Sequence, residues 1–436
     1  MKPWLFLISA LLLVNLSNAQ MHQGFYFGGS SNKHNYPIVH ADDLYSDIKG
    51  YGFESIKGLY EVNDNIDIKA SQASKNHFVS ANSPFYFSVK LPEGNYKVKM
   101  ILGDSKGVSN STIRVECRRL MAESIRTKTG ETKEINFVVH IRDSINHLTQ
   151  LPVKLKPREK SYFHWDNKLT IEFNGAAPKI RALEITEDKK TPTLFLAGNS
   201  TVVDQAEEPW ASWGQMIPNF FKPGTVAIAN YAESGETLKA FENEGRLDKL
   251  FSVAKKGDYL FMEFAHNDQK PGANHLDPFT SYQETLIKWI RKAKDKGMYP
   301  VLVTSTNRRT FDSTGHIYNS LGDYPAAMRA IAKEVNVPLI DLNEMSKIFF
   351  EALGPVASTK AFVYFKANAY PNQTKDVKDD THFNTYGAYQ LAKCVAKGIR
   401  ENIPALAPLL VNSIFNYNPA MPDDPDQWHL PEGLFL

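Results

Sequence analysis

Apolar residues recur along this chain with two different rhythms, and the change falls close to residue 190. Between Gln20 and about Glu187 they alternate with polar ones in short runs separated by turn residues. Phe85–Val89 runs into Pro92-Glu93-Gly94-Asn95, and Tyr96–Met100 alternates again. Thr112–Glu116, Ile135–Ile141, Lys168–Phe173 and Ile180–Ile185 repeat the pattern. Short strands at this spacing, with no helical stripe among them, predict an all-β sandwich.

The charged run Glu187-Asp188-Lys189-Lys190 and Pro192 read as a linker, and beyond it the rhythm changes. Apolar strands are expected at Thr193–Ala197, Val226–Asn230, Tyr259–Phe264, Pro300–Thr304 and Val337–Asp341. Helical spacing is carried by Pro278–Lys296, Tyr324–Val335 and Thr385–Glu401, the last with Asn384 as its N-cap. Strands alternating with helices build a parallel sheet covered on both faces. The proline-containing tail after Asn402 is expected to pack along the surface.

Composition sharpens this picture at a few points. The chain has 436 residues and a formal net charge of +2, which leaves no electrostatic footprint for nucleic acid. Cys117 and Cys394 are the two cysteines, one in each half, and are read as free buried thiols rather than a disulfide. Lys2, the apolar run Trp4–Leu16 and the small residues Ser17-Asn18-Ala19 form a signal-peptide pattern with cleavage after Ala19. That run is too short for a membrane anchor, which needs about 20 apolar residues. The expected layout is therefore a signal peptide over 1–19, a β-sandwich domain over 20–190 and an α/β domain over 191–436. The mature chain is expected to be exported, to the periplasm or the extracellular medium.

Four blocks fall just past strand ends or in late loops of the second half. They are Gly198-Asn199-Ser200-Thr201, Asn230-Tyr231-Ala232-Glu233-Ser234-Gly235, Phe264-Ala265-His266-Asn267-Asp268 and Asp379-Asp380-Thr381-His382. An α/β sheet gathers its ligand crevice at the carboxyl ends of its strands. A serine hydroxyl is a weak nucleophile that needs a base within hydrogen-bond reach, most often histidine. The histidine in turn needs an acceptor on its other nitrogen, and Asp-x-x-His in a tight loop can supply the carboxylate beside its own ring. An acyl-transfer oxyanion needs donors, and the amides of Ser200 and Gly235 and the side chain of Asn267 are of suitable type. Asp380 competes with Asp379 for the carboxylate role. His266 is read as a structural, satisfied histidine. The tripeptide Gly103-Asp104-Ser105 also looks like a serine-hydrolase signature, but it sits in the sandwich without companions and reads as a turn.

In this order and context the four blocks resemble the SGNH (GDSL-type) hydrolases, serine esterases on a flavodoxin-like three-layer α/β/α sheet, and among them the rhamnogalacturonan acetylesterases. Further similar stretches are Gly198–Gln205, Ser212–Met216, Gly245-Arg246-Leu247, Arg308-Arg309 with Phe311, Tyr324–Arg329 and Val337–Asp341. The resemblance spans about residues 192 to 402, and the sandwich is similar to the galactose-binding-like domains that accompany some bacterial members. It implies Ser200 as nucleophile, His382 as base, Asp379 as its orienting acid, and Gly235 and Asn267 completing the oxyanion hole with Ser200. It implies no metal and no organic cofactor, and an acetylated polysaccharide or oligosaccharide as partner, with pectic rhamnogalacturonan foremost. Two positions depart from the family pattern: Asn199 where aspartate is usual, and Ala265 where glycine is usual.

Other readings stay beside this one: an esterase of another acylated glycan such as acetylated xylan, and a catalytically silent carbohydrate-binding protein whose working part is the sandwich. Nothing in the chain reads as the apolar lid of a lipase. Tyr26, Phe27 and Trp165 are candidates for stacking on sugars, though aromatics of β-domains are more often core.

Overall fold

In the computed structural model, residues 20–29, 35–63, 77–104 and 106–433 are described, so the signal-peptide pattern at 1–19 and Ser105 lie outside the described residues. Two sheets form the amino-terminal half. One is a five-stranded antiparallel sheet ordered Tyr51–Phe53, Phe85–Lys90, Lys168–Ala176, Ser109–Val115, Arg119–Thr127. The other is built on Gly94–Gly103, which pairs antiparallel with Thr132–Ile141 on one side and Lys179–Glu187 on the other. Alternate residues of both sheets meet in one core, among them Phe87, Val98, Met100, Ile113, Ile171 and Leu183. Phe27 belongs to that core; Trp165 is buried beneath the Arg142 guanidinium, 4.4 Å from its ring, and Tyr26 is half-buried against Tyr36. Asp104 accepts from the amides of Lys106 and Gly107, which makes Gly103-Asp104 the start of a turn.

The carboxyl-terminal half is a parallel sheet ordered Ala227–Asn230, Thr193–Gly198, Tyr259–Glu263, Tyr299–Val303, Leu339–Ile340. In order of sequence this is 2-1-3-4-5, the doubly wound arrangement of flavodoxin. Its first strand shows why three layers result. Leu194 and Leu196 face a cluster with Trp213, Leu391 and Val395, whereas Phe195 and Ala197 face another with Leu250, Leu286 and Trp289. A strand apolar on both faces is stable only between two layers of helix.

The observed elements differ from expectation mainly at their ends and in short helices. The last parallel strand shrinks to Leu339–Ile340 because Asp341 leaves it to cap Leu342–Ala357, its side chain accepting from Glu344 N. The short helices Leu238–Asn243 and Arg246–Val253 were not legible as stripes. Asn384 caps Thr385–Asn402 as expected, accepting from Gly387 N.

The two halves share a sheet. Thr132–Ile141 pairs parallel with Ala227–Asn230 through Val138↔Ala227 and Val139↔Ile228, giving a single 12-stranded sheet. Glu187-Asp188-Lys189-Lys190 is a tight turn here: buried Asp188 accepts from Lys190 N and Thr191 N and turns one strand directly into the next. A buried polar seam follows the junction, with His140 Nδ1 bonded to Asn95 Oδ1 at 2.8 Å and Asn95 Nδ2 donating to Thr193 Oγ1 at 2.8 Å. The tail lies across both halves. Its Pro431 and Glu432 carbonyls accept from Arg114 and Asn174 of the sandwich, and Gly433 N donates to Glu208 at 3.0 Å. Both cysteines are free and buried. Among the described residues, no helix is long and apolar enough to cross a membrane.

Candidate active site

The strand Thr193–Gly198 ends in a turn that only glycine allows at its first position. A Cβ on Gly198 would stand 2.5 Å from Val202 Cγ2 and 3.0 Å from the Glu263 carbonyl. Asn199 then organises the turn: its carbonyl accepts from Val202 N and Val203 N at 3.0 Å each, and its Oδ1 accepts from Thr201 N at 3.1 Å and lies 3.0 Å from Thr201 Oγ1. Short polar side chains hold turns in this way. The fully buried Asn199 Nδ2 has no partner among the described residues. Under the turn lies Glu263, bonded to Thr201 Oγ1 at 2.7 Å and to Trp213 Nε1. Burial pushes its carboxyl up to about 7 against those hydrogen bonds.

Asp379 and His382 stand on a strand, Val377–Phe383, and not in the tight loop expected before the last helix. This strand pairs antiparallel with Phe362–Phe365, and the pairing jumps from Val363↔Asp379 to Phe362↔Phe383. Asp380, Thr381 and His382 therefore bulge out of the ladder. The bulge curls because Asp379 Oδ1 accepts from Thr381 N at 2.8 Å and His382 N at 3.0 Å. Asp379 Oδ2 then meets His382 Nδ1 at 2.6 Å, and His382 Nε2 meets Ser200 Oγ at 2.8 Å. Burial alone would raise the Asp379 carboxyl, but the hydrogen bond and charge of His382, with the two amides, hold it below the usual carboxylate range. An ionised carboxylate only accepts, so Nδ1 carries the ring proton and Nε2 is left to accept from the serine hydroxyl.

The neighbouring carboxylate does something else. Asp380 Oδ1 accepts from Tyr364 OH at 2.5 Å and from Arg309 NH1 at 3.1 Å, and its carbonyl accepts from Arg309 N at 2.8 Å. It fastens the hairpin to the loop after Tyr299–Val303. His266 is buried; burial and then Arg308 push its ring down to about 3, so it stays neutral. Neither ring nitrogen has a hydrogen-bond partner of good geometry among the described residues, though the Thr306 backbone interacts with the ring.

The expected oxyanion donors come from three loops. Neither Ser200 N nor Gly235 N has an acceptor among the described residues. Gly235 has φ +86°, in the left-handed region where glycine costs least. Asn267 donates one amide hydrogen to the Glu236 carbonyl at 3.0 Å, while its Oδ1 accepts from Lys270 Nζ at 2.7 Å, which fixes which end is the donor.

Sequence reasoning missed what holds the Gly235 loop. The turn Lys156–Glu159, which arises from the sandwich half, reaches across to it. Lys156 Nζ donates to the Ser234 carbonyl at 2.8 Å and pairs with Glu236. Arg158 donates to Glu233 Oε1 through Nε at 2.9 Å and NH2 at 2.5 Å, and to the Ser234 carbonyl at 2.7 Å. Glu159 accepts both arms of buried Arg246, at 2.9 and 2.5 Å. The basic run Lys154–Lys160 was the one available signal, and its partners lie far away in sequence. A second strut comes from Arg119, which holds Asp204 at 2.9 and 2.6 Å; Asn230 Nδ2 donates to the same Asp204 and to the Val202 carbonyl. Among the described residues, two clusters have metal-ligand types, Glu93/Asp143/His147 and Glu159/His164/Glu233. The first already surrounds the Lys249 ammonium, and the second is tied up by Arg246 and Arg158.

A hydroxyl, an imidazole and a carboxylate stand in hydrogen-bonded series beside free amides at the carboxyl edge of a doubly wound sheet, an arrangement suited to serine hydrolysis. Residues 196–389 match the GDSL-like lipase/acylhydrolase family, and the chain belongs to that family and is a serine esterase. Residues 23–145 match the galactose-binding-domain-like region of β-agarase and YXIM-type esterases. Among its relatives, the rhamnogalacturonan acetylesterase RhgT of Bacillus subtilis (strain 168) is 44% identical over 215 residues, covering 49% of this chain and 91% of that protein. The uncharacterized esterase YxiM of the same organism is 28% identical over 368 residues, covering 81% of this chain and 90% of YxiM. The crystal structure of the Bacillus subtilis YXIM protein aligns with 25% identity and a TM-score of 0.46, over 87% of this chain and 98% of that one.

Proposed function

We propose that this esterase removes O-acetyl groups from pectic polysaccharide, specifically from rhamnogalacturonan. As the Ser200 hydroxyl gives its proton to His382 Nε2, Oγ attacks the acetyl carbonyl carbon and the carbonyl oxygen takes up the negative charge. The amides of Ser200 and Gly235 and the Asn267 side chain donate to that oxyanion, where fixed donors count most. Collapse of the intermediate breaks the bond to the sugar oxygen, which takes the proton from His382. Water then attacks the acetyl-serine, gives its proton to His382, and acetate leaves as the proton returns to Oγ. Asp379 keeps the imidazole in the required tautomer and stabilises its cation.

The observation that carries this reading is the series Asp379–His382–Ser200 at 2.6 and 2.8 Å. The glycan rests on the 44% identity to a rhamnogalacturonan acetylesterase. The sandwich over 20–190 serves the esterase over 191–436 as its scaffold, and export follows from cleavage after Ala19. The test is acetate release from acetylated rhamnogalacturonan beside acetylated xylan, with Ser200→Ala as the blank. Faster release from xylan would move the assignment to that polymer. Amino-terminal sequencing of the mature protein should begin at Gln20.

A further inference from the structure

A cleft of about 220 Å³ opens where the two halves meet, and the chemistry of its walls is that of a sugar site. Tyr86 and the half-buried rings of Tyr162 and Phe163 line it; the Tyr86 and Phe163 centroids are 5.8 Å apart. Rings of this kind offer flat apolar surface with a polar edge, which suits the carbon face of a pyranose. Glu207 and Asn372 of the same lining are exposed. Their side chains make no hydrogen bond or ion pair among the described residues, and so are free to take hydroxyl groups. The volume has room for a sugar ring.

Its charge discriminates. The cation of the lining, Arg118, is buried and already committed to Glu208 and to the carbonyls of Gln205 and Trp210. Glu207 is the exposed charge, so a uronate carboxylate would meet repulsion with no free cation to offset it. The cleft is built on segments that also hold the catalytic site. Its Ala206–Glu207 wall belongs to the loop that begins at Ser200, and Gln205 Nε2 donates to the Ser200 carbonyl at 2.9 Å. Its Tyr162 wall follows directly on the turn that grips Ser234, with Tyr162 N donating to the Glu159 carbonyl at 3.1 Å.

We propose that this interdomain cleft is a glycan subsite that holds a neutral sugar ring flanking the acetylated residue, stacked on Tyr162 and Phe163 and hydrogen-bonded by Glu207. The proposal rests on the glycan reading above, and it makes the sandwich half a contributor to substrate choice. The test compares p-nitrophenyl acetate with acetylated rhamnogalacturonan oligosaccharides for wild type, Tyr162→Ala, Glu207→Ala and Glu207→Lys. Loss of the stacking ring or of the carboxylate should lower the ratio of kcat/KM on the oligosaccharide to that on the small ester by about tenfold, mainly through KM. Glu207→Lys should shift preference toward oligosaccharides whose flanking unit is a uronate. Exposed Glu207 carries the test should Tyr162→Ala fail to fold. An unchanged ratio in the folded variants, or no shift with lysine, overturns the subsite. A wild type that hydrolyses p-nitrophenyl acetate but no acetylated glycan instead overturns the reading on which it rests.

Discussion

The two sides of the proposed catalytic site are held by different means. On the nucleophile side, Asp379, Thr381 and His382 order one another within four residues, and Asn199 orders the serine turn within three. On the oxyanion side, the Gly235 loop is gripped by Lys156 and Arg158, which reach it from the sandwich across 75 to 80 residues of sequence. Local hydrogen bonds survive wherever the segment folds; the distant clamp exists only when both halves are docked. The nucleophile side is thus ordered first by its own neighbours, with Arg119 bracing its loop through Asp204, whereas the oxyanion loop is gripped directly from the sandwich. Tolerance to substitution should divide along the same line.

The largest effects belong to the nucleophile side. Ser200→Ala and His382→Ala should each lower turnover by a factor on the order of 10⁶, leaving what the oxyanion donors and binding supply. Acetate release by the folded variants measures this, and activity near wild type in either would remove that residue from the mechanism. Asp379→Asn should cost about 10⁴ in kcat, because the ring loses the acceptor that fixes its tautomer. Asp380→Asn should act mainly on stability, since Asp380 faces Arg309 and Tyr364. A larger kcat loss for Asp380→Asn would reverse the assignment of the two carboxylates.

Smaller losses should mark the oxyanion side. Asn267→Ala should lower kcat by about 10²–10³ with KM little changed, as expected for a donor that matters once charge develops. Lys156→Ala and Arg158→Ala should lose about tenfold to a hundredfold in kcat, because they move a donor without removing it. Arg158→Lys should recover part of that, as one cation can replace one of the two contacts. If the clamp variants change thermal stability alone, with kcat intact, the Gly235 loop holds its shape without the sandwich.

Asn199→Asp should change turnover by less than about tenfold, roughly 1.4 kcal/mol in barrier. The oxygen that orders the turn is retained, and the nitrogen lost has no partner among the described residues. A several-hundredfold gain in steady-state kinetics would mean that asparagine weakens the natural enzyme.

Stability against pH probes the layer beneath. Burial raises Glu263 to about 7, whereas an unfolded glutamate titrates near 4.3, roughly. Between those values the native state keeps a proton that the unfolded chain has lost, so stability falls as pH rises from about 4 to about 7 and then levels. Asp268 and Glu236, each also raised to about 7 mainly by burial, add slopes of the same sign. Glu263→Gln should flatten the fall in Tm between pH 5 and 8, and an unchanged slope would assign it to the other two.

The sequence by itself determined the features set by neighbouring residues. Strand–helix alternation after Pro192, the apolar strand Thr193–Ala197, the N-cap at Asn384 and the order of the four blocks all follow from periodicity or from side chains acting within a turn of their own backbone. Asp-x-x-His was legible as a pair for the same reason. Its setting was not, because the bulge exists only where Val377–Phe383 is paired with Phe362–Phe365. The motif already favoured Asp379; what Asp380 does instead, bonding the distant Arg309 and Tyr364, was not legible. Tertiary structure alone decided that Thr132–Ile141 would extend the catalytic sheet, and that Lys156 and Arg158 would hold the oxyanion loop. Backbone pairing between strands leaves no mark on residue type. A surface run of lysine and arginine reads the same whether it faces water or a carboxylate some 80 residues away in sequence, as Lys156 and Glu236 are.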